Sequence, residues 1–341
     1  MIRVIKFIGT ILYFLIVNSI YSQNKFSISF GSCLHQDKDK KIMETLSNSR
    51  PDIFITMGDI IYKDSLNPLD KKIEYDKLKN SPFYNNLLKS TKILGTWDDH
   101  DYGINDSGSE YPQKKDSQKL FLDFLDESPT SERRQREGIY SSNFINFNKL
   151  NIHIILLDTR YFRSSLKKKF IFWGDYTANY DENATILGNE QWAWLENELK
   201  KPSDLKIIVS SIQFFNEDHP FEKWGNFPLE KKKFLNVLKN KEISNLIILS
   251  GDRHISETFF FFENDFGNIL EITSSPLNIE IPFPIVNKLQ EFKIGNTIQK
   301  SNFGNILIED KSKDYEFSFQ YYLKDGEKIN IPINYIIPKK K

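Results

Sequence analysis

Runs of apolar β-branched and aromatic residues recur along this chain, and most of them end abruptly in a polar cluster. Residues 26–31 (FSISFG), 52–57 (DIFITM) and 92–96 (KILGT) read as strands. Residues 37–49 and 70–90 read as helices, the first closing near Arg50-Pro51. Segment 103–118 is polar and glycine-containing, a loop placed to cover whatever the preceding strands present, and 118–126 (QKLFLDFLD) has helical spacing. The stretch INFNKLNIHIILLDTR reads as a hairpin feeding a buried strand that closes at Asp158 and Arg160. In 188–200, Trp192, Leu195 and Leu199 share one face of an amphipathic helix. LKIIVSSIQFF is a further strand, followed by a loop to about 227, a helix over 228–240 and the strand LIILSG. From Thr258 onward the pattern becomes alternating strands, with turns at Asn264-Asp265 and Asp325-Gly326. Strand–helix units dominate the first half and antiparallel sheet the last third. A two-sheet α/β core flanked by helices fits that order.

Composition narrows the function classes. The 341 residues suffice for a large core, and 46 basic against 46 acidic residues cancel. The summed field therefore steers the chain neither to nucleic acid nor to an anionic membrane. At the N-terminus, Arg3 and Lys6 precede the apolar run IGTILYFLIV and the polar NSIYSQ. That is the pattern of an export signal over 1–22, cleaved after Ser22, with a mature domain over 23–341 in the periplasm or outside the cell. The run is short for a membrane span, so no stable span is expected after cleavage. Cys33 is the only cysteine, which rules out an intramolecular disulfide. A lone thiol in an oxidising compartment is buried, paired with another molecule or bound to metal. Its place after a strand and a Gly-Ser turn favours the metal.

The polar clusters that close the strands carry the chemistry. They are Cys33 in FGSC, Asp59 and Tyr62 in GDIIY, Asp98-Asp99-His100-Asp101 in TWDDHD, and Asp252 and His254 in SGDRH. Gly-Asp after a strand is often only a turn or a helix cap. Adjacent carboxylates at a strand end are harder to dismiss, because they repel one another unless a cation is present. The donors divide into two sets. Cys33, Tyr62 and His254 suit a transition metal, with thiolate and phenolate favouring ferric iron. Asp99 and Asp252 offer an oxygen site for calcium, manganese or magnesium, and Asp59 is placed to bridge the two. Such a centre holds a hydroxide between its ions and clamps a phosphoryl oxygen. His100 has the chemistry to protonate a leaving oxygen, and Arg160 to pair with a phosphate in bidentate fashion. His153, inside an apolar strand, reads as structural.

FGSC, GDIIY, TWDDHDYGIND, LDTRYFR, LGNEQWAWLENEL and ILSGDRHISE, in that order, resemble the motifs of the PhoD-like alkaline phosphatase/phosphodiesterase family within the calcineurin-like metallophosphoesterases. The resemblance covers roughly residues 26–280. It implies a four-layer α/β/β/α sandwich, with C-terminal strands completing the second sheet. It also implies hydrolysis of phosphate mono- and diesters with iron and calcium. Carried over by motif, Cys33, Asp59, Tyr62 and His254 are the iron ligands; Asp59, Asp99 and Asp252 serve the second site, with His100 beside the phosphate. The chain departs from the longer members, which carry an additional N-terminal β-domain. The contact made by Asn105 or Asp106 is open, as is that of His35, spaced from Cys33 like an Asp-x-His metal pair. Gln213 stands where ordinary members of the superfamily place a histidine.

Three other readings compete. A phosphodiesterase narrower in substrate, acting on phospholipid headgroups or nucleotides, would shape its pocket with loop 103–118 and the aromatic segment FIFWGDYTAN. A non-catalytic calcium-binding surface protein would use the acidic cluster alone, leaving Cys33, Tyr62 and His254 without a purpose. A Cys33 nucleophile paired with His254 or His35 suffers from acidic surroundings, which raise a thiol's pKa.

Overall fold

The computed structural model of the protein describes residues 24–169, 175–241, 243, 245–263, 267–281 and 292–340. The expected export signal over 1–22, the first part of FIFWGDYTAN and the turn expected at Asn264-Asp265 lie outside them. Strands β1 (Lys25–Gly31), β2 (Ile53–Met57) and β3 (Lys92–Thr96) pair in parallel. Between them run helices α1 (Lys41–Ser49), α2 (Pro68–Lys79) and α3 (Pro82–Leu88). The expected single helix over 70–90 is thus two, because Pro82 lacks the amide a continuing helix needs and starts a new one instead. After β3 come the single turn α4 (Asp99–Tyr102) and α5 (Lys114–Phe124), which starts inside the stretch expected to be loop.

The second sheet begins with the hairpin of β4 (Ser141–Phe147) and β5 (Leu150–Leu156). Asn148 and Lys149 turn it with positive φ values of 46° and 76°, the left-handed pair that matches strand twist. A short ribbon follows, β6 (Lys167–Lys168) with β7 (Tyr176–Thr177), then α6 (Gly188–Lys200), β8 (Leu205–Val209), α7 (Pro228–Asn240) and β9 (Asn245–Ser250). The strand expected over LKIIVSSIQFF stops at Val209. There Ser210 caps the carbonyl of Ile212, and the chain turns away from the sheet. Strands β5, β8 and β9 are mutually parallel.

β10 (Ser256–Glu263), β11 (Gly267–Thr273) and β12 (Lys293–Ile298) extend this sheet to seven strands. β13 (Asn302–Asp310), β14 (Asp314–Leu323) and β15 (Lys328–Pro338) do not. The expectation that the C-terminal strands complete the second sheet holds for β10 to β12 and is corrected for β13 to β15, because β13 pairs antiparallel with β1 and builds the first sheet to six strands. The alternation in β14, with Tyr315, Phe317, Phe319 and Tyr321 buried, aims one face at the space between the sheets.

Three apolar clusters follow from these faces. One is shared by the inner sides of both sheets, including Ile28, Ile55, Ile154, Ile207 and Ile247. A second joins the six-stranded sheet to α1, α2, α3 and α5. The third seats Trp192, Leu195 and Leu199 of α6, with Phe234 and Leu238 of α7, on the seven-stranded sheet. Helices therefore cover the outward face of each sheet. Among the described residues no helix is long and apolar enough to cross a membrane.

Candidate metal centre

The carboxyl ends of the two parallel triples open at one rim, the edge where α/β sheets place ligands. Cys33 follows β1, Asp59 follows β2, and Asp98 to Asp101 follow β3. Asp158 and Arg160 follow β5, Ser211 and Gln213 follow β8, and Asp252 and His254 follow β9. Cys33, Asp59, Asp252 and His254 all hold positive φ, between 51° and 65°. Side chains other than glycine seldom adopt that conformation, and it concentrates where a site dictates the backbone. Gly58 makes the convergence feasible. A Cβ there would stand 2.4 Å from that of Asp98.

Ligand atoms of Cys33, Asp59 and His254 lie within 4.8 Å of one another. The Tyr62 hydroxyl joins them, donating to Asp59 Oδ2 at 2.9 Å and lying 3.1 Å from His254 Nε2. Ser275 donates to the buried Cys33 sulfur at 3.0 Å. One oxygen each of Asp59, Asp98, Asp99 and Asp252 forms a second group within the same limit. The structure thus brings together every residue that the motifs proposed as ligands, and Asp59 belongs to both groups. Asp98 joins them as well. Its Oδ1 accepts from Arg160 at 2.5 Å and Ser211 at 2.7 Å, while Oδ2 is buried without a hydrogen-bond partner.

His100 flanks the centre, its ring 4.2 Å from that of Tyr62 and its Nδ1 2.5 Å from Asp64 Oδ1. Arg160 is fully buried, with its guanidinium lodged between Asp98 and Glu222 at 2.5 Å from each. Direct pairing with a phosphate would require one of these contacts to open. His35 stacks at 5.5 Å from Tyr62 and is in neither ligand group. Asp106 donates its backbone N–H to Asp99 Oδ2 at 2.7 Å, while its carboxylate accepts from Asn105 and Tyr176. Gln213 is buried among Thr273, Glu257 and Arg253. His153 pairs with Glu198 at 3.2 Å, far along the strand from the rim.

A profile of the PhoD-like phosphatase family matches residues 28–317. The chain belongs to that family. Alkaline phosphatase D of Bacillus subtilis strain 168 is 24% identical over 179 residues, which is 47% of this chain but only 30% of that protein's length. A solved structure of PhoD superposes with a TM-score of 0.67 at 15% identity, over 92% of this chain and 68% of the other. At that identity the likeness speaks for the fold.

The electrostatics of this PhoD-like site ask for cations. Burial pushes the Cys33 thiol up to about 12 and Asp98 up to about 7, in the latter case against the pull of Arg160. Burial, then Asp99, holds Asp59 well above the ordinary carboxylate range; burial, then Asp98, does the same to Asp252. Tyr62 rises through burial and the nearby Asp59. Asp99 goes the other way: burial opposes ionisation, but His100 and Arg160 outweigh it. Burial takes His254 down to about 4, which leaves a neutral imidazole able to coordinate. Apart from Asp99, the protein's own charges do not offset the burial of these acidic groups. Multivalent cations would. Thiol, phenol, imidazole and carboxylate fit a transition ion, and the carboxylate group with its orphaned oxygen fits a hard one.

Several supporting residues escaped the sequence reading. Asp64 holds His100 and lies five residues after Asp59, a signal the GDIIYKD stretch contained. Glu222, which joins Arg160 to Arg163, had no sequence signal, because its role exists only once two distant loops meet.

Proposed function

We propose that this chain is a metal-dependent phosphoesterase that hydrolyses phosphate mono- and diesters, exported through its 1–22 signal to the periplasm or beyond the cell, with residues 23–341 as the catalytic domain. The observation that carries the reading is the sharing of Asp59 between a Cys/Tyr/His set and an all-carboxylate set, with a histidine beside both. Cys33, Asp59, Tyr62 and His254 would hold an iron ion, ferric by the character of its donors. Asp59, Asp99 and Asp252 would hold calcium, or manganese or magnesium in its place. When bound, these cations supply Lewis acidity toward water and toward a phosphoryl oxygen.

The protein's own groups do the rest. Asp64 fixes the His100 ring through Nδ1, leaving Nε2 to give a proton to the leaving oxygen. Burial opposes the charge on His100, while Asp99, Asp59 and Asp64 in the cation-free cluster favour it. Arg160 acts through Asp98, holding that carboxylate against the cluster.

The test is elemental analysis and visible absorption of the purified mature protein, with a phosphoester assay on the same sample. About one iron per chain, calcium, a ligand-to-metal charge-transfer band and turnover are expected. Asp59→Asn should lower turnover by several orders of magnitude and deplete both metals. Wild-type activity and metal content in that variant would overturn the shared-ligand arrangement. Calcium alone, with no hydrolysis even after iron reconstitution, would favour a calcium-binding surface protein.

A further inference from the structure

Lys71 is a lysine with no exposed surface, in the first turn of α2. Its ammonium donates to three backbone carbonyls, those of Lys63, His100 and Gly103, each at 2.7 Å. Three donors thus meet three acceptors, and no carboxylate pairs with the group among the described residues. A buried ammonium without an ion-pair partner is costly, and one saturated by carbonyls is kept for what those carbonyls do.

Two of the three belong to α4 and its end. This helix is a single turn, so its terminal carbonyls have no partner further along it. A cation at a helix C-terminus satisfies such carbonyls and complements their partial charge. The third carbonyl, of Lys63, lies between Tyr62 and Asp64. Tyr62 packs its ring at a tilt against that of His100, and Asp64 holds its Nδ1. One buried ammonium therefore ties together the two segments that aim His100, from beneath and without touching the cluster's side chains.

We propose that Lys71 is a positioning residue that fixes the His100 ring relative to Asp64 and Tyr62. Its consequence for turnover rests on the phosphoesterase reading above. Lys71→Met keeps the length of the side chain and removes the three donors, so the carbonyls of His100 and Gly103 lose their anchor and the C-terminal part of α4 shifts, while Asp99 at its start stays tied to the Asp106 amide. A displacement of this kind, remote from the bond broken, is expected to lower kcat about 100-fold while KM and the metal content stay as in the wild type.

The experiment uses the full mature chain with its metals and compares wild type, Lys71→Met and Lys71→Ala. In Lys71→Ala the missing atoms correspond to propylammonium, which should restore part of the lost kcat, whereas 1-propanol should not. A second readout does not depend on activity: the rate of His100 acylation by diethyl pyrocarbonate, followed by mass spectrometry. It should rise several-fold in Lys71→Met, with His153 and His219 reacting as in the wild type. Wild-type kcat and wild-type His100 labelling in Lys71→Met would overturn the proposal. So would faster labelling of all three histidines with no ammonium rescue, which would make Lys71 a general support of the fold. If the metal-loaded wild type hydrolyses no phosphoester while the His100 labelling still separates the variants, the phosphoesterase reading falls and the hold of Lys71 on His100 stands.

Discussion

At the scale of single residues, the charge on His100 offers a sharp check. In an unfolded chain its pKa is about 6.5. In the folded, cation-free protein burial works against protonation, yet Asp99, Asp59 and Asp64 bring the value to about 10. Between those two values the folded state holds a proton that the unfolded state has lost. The stabilisation from His100 is therefore complete below about pH 6.5 and disappears as pH rises through about 10. Chelator-treated wild type and His100→Asn should accordingly differ most in melting temperature near pH 6 and converge toward pH 10. A gap that stayed constant over this range would show that the carboxylates do not hold the proton. His254 is shifted in the opposite sense because burial dominates there and the charge of His100 adds to it.

At the scale of elements, the site depends on how closely β2 and β3 approach as they end. Gly58 has φ of 100°, and a methyl group in place of its hydrogen would meet the Asp98 backbone nitrogen at 2.5 Å. Gly58→Ala should cost more than about 2 kcal/mol in denaturant unfolding, through both the strained φ and the clash. Calcium uptake should fall in the same variant, since Asp98 must move; unchanged uptake would separate Asp98 from the carboxylate group. On the opposite side of the molecule, Leu195 of α6 is fully buried against the seven-stranded sheet. Leu195→Ala should cost about 2–5 kcal/mol while the metal content of the surviving folded protein is unaltered. Loss of metal in that variant would mean that the packing of α6 reaches the rim.

At the scale of the whole molecule, the rim is where the two sheets are joined by charge. Asp98, at the end of β3, meets Arg160 beyond β5 and Ser211 beyond β8. Asp59 of the first sheet shares its ligand groups with Asp252 and His254 of the second. Cations bound there would clamp one sheet to the other, so removing them should loosen more than the site. Occupancy at about a hundred times the dissociation constant adds roughly 2.7 kcal/mol to the folded state. Stripping the protein with a chelator should lower its melting temperature, and returning calcium and iron should restore it. Equal melting with and without the metals would mean that the cluster does not bind them in the folded state.

The sequence by itself determined the strands, because a buried parallel strand must be a short apolar run, and it determined the donors, because each run stops at a polar cluster. Cys33, Asp59, Tyr62, Asp99, Asp252 and His254 were legible for that reason: each is local to a strand end, and its residue type carries its chemistry. Pro82 also stood in the sequence as the break between α2 and α3, although periodicity alone ran the two together. Only the tertiary structure decided which sheet the last strands join. β13 contacts β1 across 276 residues, as in the bond from Ser29 to Asn305, and no local pattern encodes a partner at that distance. The same holds for the supports of the site. Glu222 and Lys71 look like ordinary surface charges in one dimension, and Asp98 and Arg160, although their motifs drew attention to them, give no sign there of the contacts they make. Their burial, and hence their roles, exist only after loops far apart in sequence close over them.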